Sequence, residues 1–172
     1  MTKGIHHISA IASNAQRTVD FYSHILGLRL VKQTVNQDDP GTYHLFFGDR
    51  IGMPGMDLTF FIFLPSHPGV AGNGIVSKVS FAVPPQSLKF WEKRFETFHI
   101  IHEPIHTRFG KNRLIYYDYD HLQLELVETE KNTSIDTPAV WSTPEISKHH
   151  AIIEFYSATL QVADRNLVEP II

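Results

Sequence analysis

Eleven histidines stand in a chain of 172 residues, four of them in two adjacent pairs at His6–His7 and His149–His150. Imidazole is a common metal ligand and the side chain that titrates nearest neutral pH, so it serves both metal binding and proton transfer. On an extended strand, neighbouring side chains point to opposite faces, so His6 and His7 share one site only if the backbone bends. By periodicity alone such a pair is as readily structural or solvent-facing. In the run LQLELVE at 122–128, alternation places Leu122, Leu124 and Leu126 on one face and Gln123, Glu125 and Val127 on the other. The Glu125 carboxylate therefore lies opposite a row of leucines, which fits either a polar cleft or a solvated sheet face. His44 on YHLFF reads first as a cross-strand packing residue. His102 and His106 share a face of one expected edge strand. The absence of Cys excludes thiol nucleophiles, Cys-ligated zinc and iron–sulfur clusters. No P-loop, dinucleotide-binding, nucleophile-elbow or HExxH motif occurs.

Composition narrows the class further. Fifteen Lys and Arg against 18 Asp and Glu leave a net charge of −3 with no basic block, so no nucleic-acid partner is expected. A hydrophobic content of 42% argues against disorder. No apolar run reaches the roughly 18–20 residues of a membrane span, and MTKGIHHISA has no signal-peptide core. The expectation is a cytoplasmic protein with no membrane partner.

The elements that must position these residues come in a repeat. Alternation marks a strand at 5–12, helical spacing a helix at 16–26 closed by Gly27, and strands follow at 28–35, 42–49 and 56–64. After a Gly/Pro-rich stretch the same order returns, with a strand at 75–83, a helix at 86–98, and strands at 100–106, 113–120 and 122–128. Phe21-Tyr22 answers to Phe90-Trp91, YHLFFGD at 43–49 to RLIYYDY at 113–119, and MDLTF at 56–60 to LELVE at 124–128. A polar stretch then reads as a connection over the surface. IEFYSATLQVAD at 153–164 resembles the first strand again, with Ala158 in the place of Ile8. The expected architecture is α+β: two tandem βαβββ modules at 1–65 and 66–130, a linker at 131–152, and the start of a truncated third module at 153–172.

HHISAIASNAQRTVDFYSHILGLRL resembles the first strand and helix of the vicinal oxygen chelate superfamily, which holds glyoxalase I, extradiol dioxygenases and bleomycin-resistance proteins. VNQDDPGTYHLFFGDRIGMPGMDLTFF is similar to the branch that opens hydroquinone-type rings. Members of that branch carry four βαβββ modules, so this chain resembles an N-terminal half. The resemblance implies that the sheets of two modules curl around a cleft, with a metal held by residues of first and fourth strands.

That resemblance assigns roles by position. His7 falls at the first-strand metal-ligand position, and His6 at the position that contacts substrate, a possible acid/base group. Glu125 falls at the fourth-strand carboxylate position of the second module. Asp57 takes the matching place in the first module with a side chain one methylene shorter. Lys78 stands where the second module would offer its first-strand ligand, and a protonated Lys donates rather than coordinates. Ser157 stands there in the third. The branch completes a site of two His and one carboxylate with residues of a fourth module. His7 is the member of that set present here, and a substitute set within the first module would be His7, His44 and Asp57.

The implied function is metal-dependent cleavage of a hydroquinone- or catechol-like ring, with Fe(II) leading and Mn(II) or Zn(II) as other cofactors. Enzyme activity would depend on a complete site assembling with a partner chain that carries the missing modules, or in a homodimer. An unpaired strand at 153–163 would favour the homodimer. The alternatives are a metal-free module that binds a small aromatic molecule, or an inactive remnant, and thirdly a glyoxalase-like lyase.

Overall fold

The computed structural model of the chain describes residues 4–64, 69–70, 72–130 and 140–168. The chain builds two βαβββ units, as the repeat predicts. In the first, β1 (His7–Ala12) leads to Asn14, whose side chain accepts a hydrogen bond from the Arg17 amide and so caps helix α1 (Ala15–Val19). The helix widens into a π-helical turn over Asp20–Ile25. Gly27, at φ +70°, then reverses the chain in a conformation that costs glycine little. Strands β2 (Arg29–Val35), β3 (Tyr43–Gly48) and β4 (Asp57–Ile62) complete a sheet of order β1-β4-β3-β2. β1 runs parallel to β4, and the other pairs are antiparallel.

The second unit comprises β5 (Ile75–Val83), helix α2 (Leu88–Thr97), β6 (His106–Arg108), β7 (Lys111–Tyr117) and β8 (Gln123–Glu128). Its sheet has the order β6-β7-β8-β5-β9, in which β9 (Glu154–Gln161) pairs antiparallel with β5. No helix among the described residues is long and apolar enough to cross a membrane.

Both helices pack on the same side of their sheets. Tyr22 sits against Phe47 and Phe60, with ring centroids 5.3 and 4.5 Å away, and Phe95 of α2 stacks on Tyr116 of β7 at 4.5 Å. The two helix layers also meet each other. Phe21 stacks over Tyr116, the Tyr22 hydroxyl donates to Asp118 at 2.8 Å, and Arg94 donates to the carbonyls of His24 and Ile25. One continuous hydrophobic core therefore spans both units. The opposite sheet faces, which carry His7 and Glu125, are the faces that the helices leave uncovered.

Several expectations change. The sheets are open and neither curls closed, because β1 forms the edge of its sheet with β4 as its ladder neighbour. The strand at 153–163 is not unpaired: β9 occupies the outer edge of β5, which removes it as the argument for a homodimer. The strand expected at 100–106 begins only at His106, and His102 makes an isolated bridge with Tyr116. Residues 131–139 of the linker lie outside the described residues. Its remainder is not a surface connection, since Val140, Ile146, Ala151 and Ile152 are buried in the core. Scattered apolar residues within a polar run hid that packing from periodicity.

Candidate functional site

The ladders align the two repeats more closely than the sequence does. In the first unit His7 lies opposite Asp57, and Ser9 opposite Thr59. In the second, Lys78 lies opposite Gln123, and Ser80 opposite Glu125. With Lys78 at the place of His7, the counterpart of Asp57 is Gln123, and that of Glu125 is Thr59. Likewise His44 pairs with Phe61, which pairs with Ile11, while Arg113 pairs with Val127, which pairs with Ala82. His44 and Arg113 are therefore counterparts. The pattern comparison of MDLTF with LELVE is two residues out of register, a slip that preserves the inward–outward alternation and so leaves no trace in it.

On the first sheet, His7 and His6 are exposed at the start of β1 with their rings edge to face, and the two Nδ1 atoms are 3.1 Å apart. Both reach the same neighbourhood because β1 begins only at His7 and the bend before it frees His6 from strict alternation. Beside them is Asp57, whose Oδ1 is buried without a hydrogen-bond partner among the described residues. Burial pushes the Asp57 carboxyl above its ordinary range, while the nearby His7, His6, His44 and Lys32 pull it back down. His44 is sandwiched between Phe61 and Phe46, with centroids 3.9 and 4.1 Å away, and its buried Nε2 also lacks a partner. Burial, together with Lys32 and His7, lowers the His44 pKa against the pull of Asp57, so its imidazole is neutral at neutral pH. Lys32, brought opposite Phe46 by a bulge after Leu30, places its ammonium 5.2 Å over that ring. Between these groups the hydroxyls of Thr59 and Ser9 are hydrogen-bonded at 3.0 Å.

Two orphaned polar atoms beside two exposed imidazoles single this face out as the candidate site, because buried polar atoms are rarely left unpaired without a reason. Asp57 Oδ1, His7 and His44 Nε2 are donors suited to a divalent cation. Yet no group of three His, Asp or Glu side chains among the described residues is gathered closely enough to hold one. The half-buried Phe46 and Phe61 give that face an apolar floor, whereas Phe47, Phe60 and Tyr116 are core.

The second sheet uses the corresponding positions differently. Glu125 is fully buried, and both its oxygens are taken: Oε1 accepts from Lys78 Nζ at 2.8 Å, and Oε2 accepts from Ser80 Oγ at 2.7 Å and from Arg113 at 2.8 Å. Burial alone would raise its pKa, but the hydrogen bonds of Lys78 and Ser80 and the charges of Lys78 and Arg113 outweigh it and hold the carboxyl below its ordinary value. The structure does not bring Glu125 to His7. The two lie on separate sheets, and the carboxylate expected to face a metal is clamped by two cations. Arg113, missed in the sequence, had one available signal: a cation heading the apolar run LIYY on its strand. His150 stacks on Phe90 at 4.2 Å and belongs to the α2 packing. Ser157 lies opposite Ser80 in the β5–β9 ladder.

Comparison with known proteins points one way. The pattern of the Glyoxalase/Bleomycin resistance protein/Dioxygenase superfamily matches residues 4–126. The chain is 46% identical over 159 residues to “Putative ring-cleaving dioxygenase MhqO” of Bacillus subtilis, covering 92% of this chain and 49% of that protein. It is 30% identical over 163 residues to the chlorohydroquinone/hydroquinone 1,2-dioxygenase of Sphingobium indicum, covering 91% and 49%. A crystal structure from Bacillus subtilis, described as a “putative dioxygenase”, superposes with a TM-score of 0.85 at 45% identity over 92% of this chain and 50% of that one. The chain spans about half the length of the curated relatives it matches in this group.

Proposed function

This chain belongs to the Glyoxalase/Bleomycin resistance protein/Dioxygenase superfamily, and on that premise we propose that it is the N-terminal half of a metal-dependent dioxygenase that opens hydroquinone- or catechol-like rings. The observation that carries the reading is the orphaned Asp57 Oδ1 directly across the β1–β4 ladder from His7. In this reading His7 and Asp57 hold the cation, and the remaining ligands come from outside the described residues. His7 and Asp57 would hold a divalent metal, Fe(II) before Mn(II) or Zn(II), which would supply Lewis-acid binding of a ring hydroxyl oxygen and activation of O2. His6, beside His7, accepts the proton of a ring hydroxyl. Phe46 and Phe61, packed about His44, give the substrate face an apolar floor. Glu125 carries no metal in this reading. It accepts hydrogen bonds from Lys78 and Arg113 on the second sheet.

The same reading takes 1–65 and 66–130 as modules, 131–152 as a linker and 153–172 as the start of a third module. The antiparallel seating of β9 on β5 supports it, because β9 meets β5 as one first strand would meet another. A cytoplasmic setting belongs to the reading, and the lack of Cys supports a reducing compartment.

Anaerobic titration calorimetry with Fe(II) tests this. The wild-type chain is expected to take up metal, His7→Ala to lose that uptake, and His6→Ala to keep it while losing the further heat of hydroquinone binding. Absence of metal uptake by the wild type would overturn the proposal. It would favour a metal-free binding module, a second reading supported by the lack of a three-ligand group among the described residues.

A further inference from the structure

The second sheet carries one positive charge in excess. Lys78 and Arg113 are both more than nine-tenths buried, and among the described residues Glu125 is the one carboxylate within ion-pair distance of either. One carboxylate cannot offset two cations, and a buried charge without a counter-charge is costly. Donors are left over as well. Lys78 spends one of its three N–H donors on Glu125, and Arg113 spends two of its five, on Glu125 and on the Arg108 carbonyl. Two local irregularities bring apolar rings to this pair. A bulge in β9 leaves Tyr156 as the extra residue between Phe155 and Ser157, and its ring centre lies 5.4 Å from the Arg113 guanidinium carbon. Phe109, at the tip of the β6–β7 hairpin, has a φ of +53°, which a residue other than glycine rarely adopts, and its ring centre lies 5.9 Å from the same carbon. Bulges and positive-φ residues recur where a side chain is re-aimed at a ligand. Ile115, opposite Glu125 in the β7–β8 ladder, adds an apolar side chain to the same face.

We propose that Lys78 and Arg113 form a binding site for a small aliphatic monocarboxylate. Its two oxygens bridge the Lys78 ammonium and the Arg113 guanidinium, as the two oxygens of Glu125 already do. The spacing of the two nitrogens is set by one carboxyl group, so it suits a second group of the same span. A monoanion offsets the single excess charge, whereas a dianion overshoots it. The alkyl chain rests on Tyr156, Phe109 and Ile115, which an inorganic ion would leave without a contact. Arg108, exposed on the same hairpin beside Phe109, adds a further cation that draws an anion to this face. The site lies on a separate sheet from His7 and Asp57 and stands without the metal reading.

Calorimetric titration of the metal-free chain with butyrate tests this, at constant ionic strength so that general screening is held fixed. Butyrate should bind at one site per chain and raise the thermal midpoint. Butyramide, of the same shape without the charge, should do neither, and inorganic phosphate should bind more weakly than butyrate. Lys78→Met leaves the Arg113–Glu125 pair in place and should weaken butyrate binding at least about ten-fold. Tyr156→Ala, at a partly exposed ring, should weaken it about five-fold. If Lys78→Met unfolds, the butyramide and Tyr156→Ala comparisons decide. No butyrate binding by the wild type overturns the inference. So does equal binding of butyramide, tighter binding of phosphate, or unchanged butyrate affinity in a folded Lys78→Met.

Discussion

Equivalent positions in the two modules carry opposite chemistry. At the first-strand position the first module has His7 and the second Lys78. At the third-strand position they have His44 and Arg113. Where the first module has two imidazoles the second has two hydrogen-bond-donating cations, and Glu125 is the carboxylate that pairs with both. Removing one partner of a buried ion network strands the others, so Glu125→Gln should cost about 3–5 kcal/mol, read as a lower urea midpoint. The pH sign follows from the lowered pKa of Glu125 in the fold. Its contribution is fully present above the unfolded value near 4.5 and is lost as pH falls through the lower folded value, so an acid unfolding limb should be blunted in Glu125→Gln. His7 and Lys78 were legible as candidate and misfit from the sequence. The clamp on Glu125 was not, because Arg113 lies 12 residues away on another strand and only the β7–β8 ladder brings it over.

At the scale of elements, the junctions between units decide what the strands can do. Gly27 lies under Ile146: a Cβ built there would come within 2.6 Å of the Ile146 Cδ1, at a φ of +70° that L residues rarely adopt. Gly27→Ala should cost about 1–3 kcal/mol, and trimming Ile146 to Ala in the same chain should relieve only the steric part, since the backbone strain stays. The Tyr22–Asp118 hydrogen bond ties the first helix to the β7–β8 loop, and burial raises the pKa of both groups. Tyr22→Phe leaves Asp118 its backbone donors from Asp120 and Leu122 but removes the inter-unit one. The expected loss is about 1–3 kcal/mol in equilibrium unfolding. Strands and helices were readable because period-2 and 3.6 patterns report burial directly. Register was not, since a two-residue slip of Asp57 against Glu125 leaves every face unchanged. The packing of Ile146 and Val140 was missed because isolated apolar residues in a polar run carry no period.

For the whole molecule, the helices form a shared inner layer and the two chemistry-bearing sheet faces lie on the sides the helices leave free. One sheet is extended by β9, and its buried carboxylate is paired with Lys78 and Arg113. The other ends at β1, with two orphaned polar atoms and two exposed imidazoles. A chain spanning about half of its curated relatives fits that asymmetry. In the proposed reading the first sheet binds the metal, and the second is closed by the pairing of Glu125 with Lys78 and Arg113. Mn(II) binding followed by electron paramagnetic resonance, on the wild-type chain, His7→Ala and Lys78→Met, tests it most directly. The wild type and Lys78→Met should bind alike, and His7→Ala should bind at least about ten-fold more weakly. Equal binding by His7→Ala and the wild type, or no binding by the wild type, would contradict it.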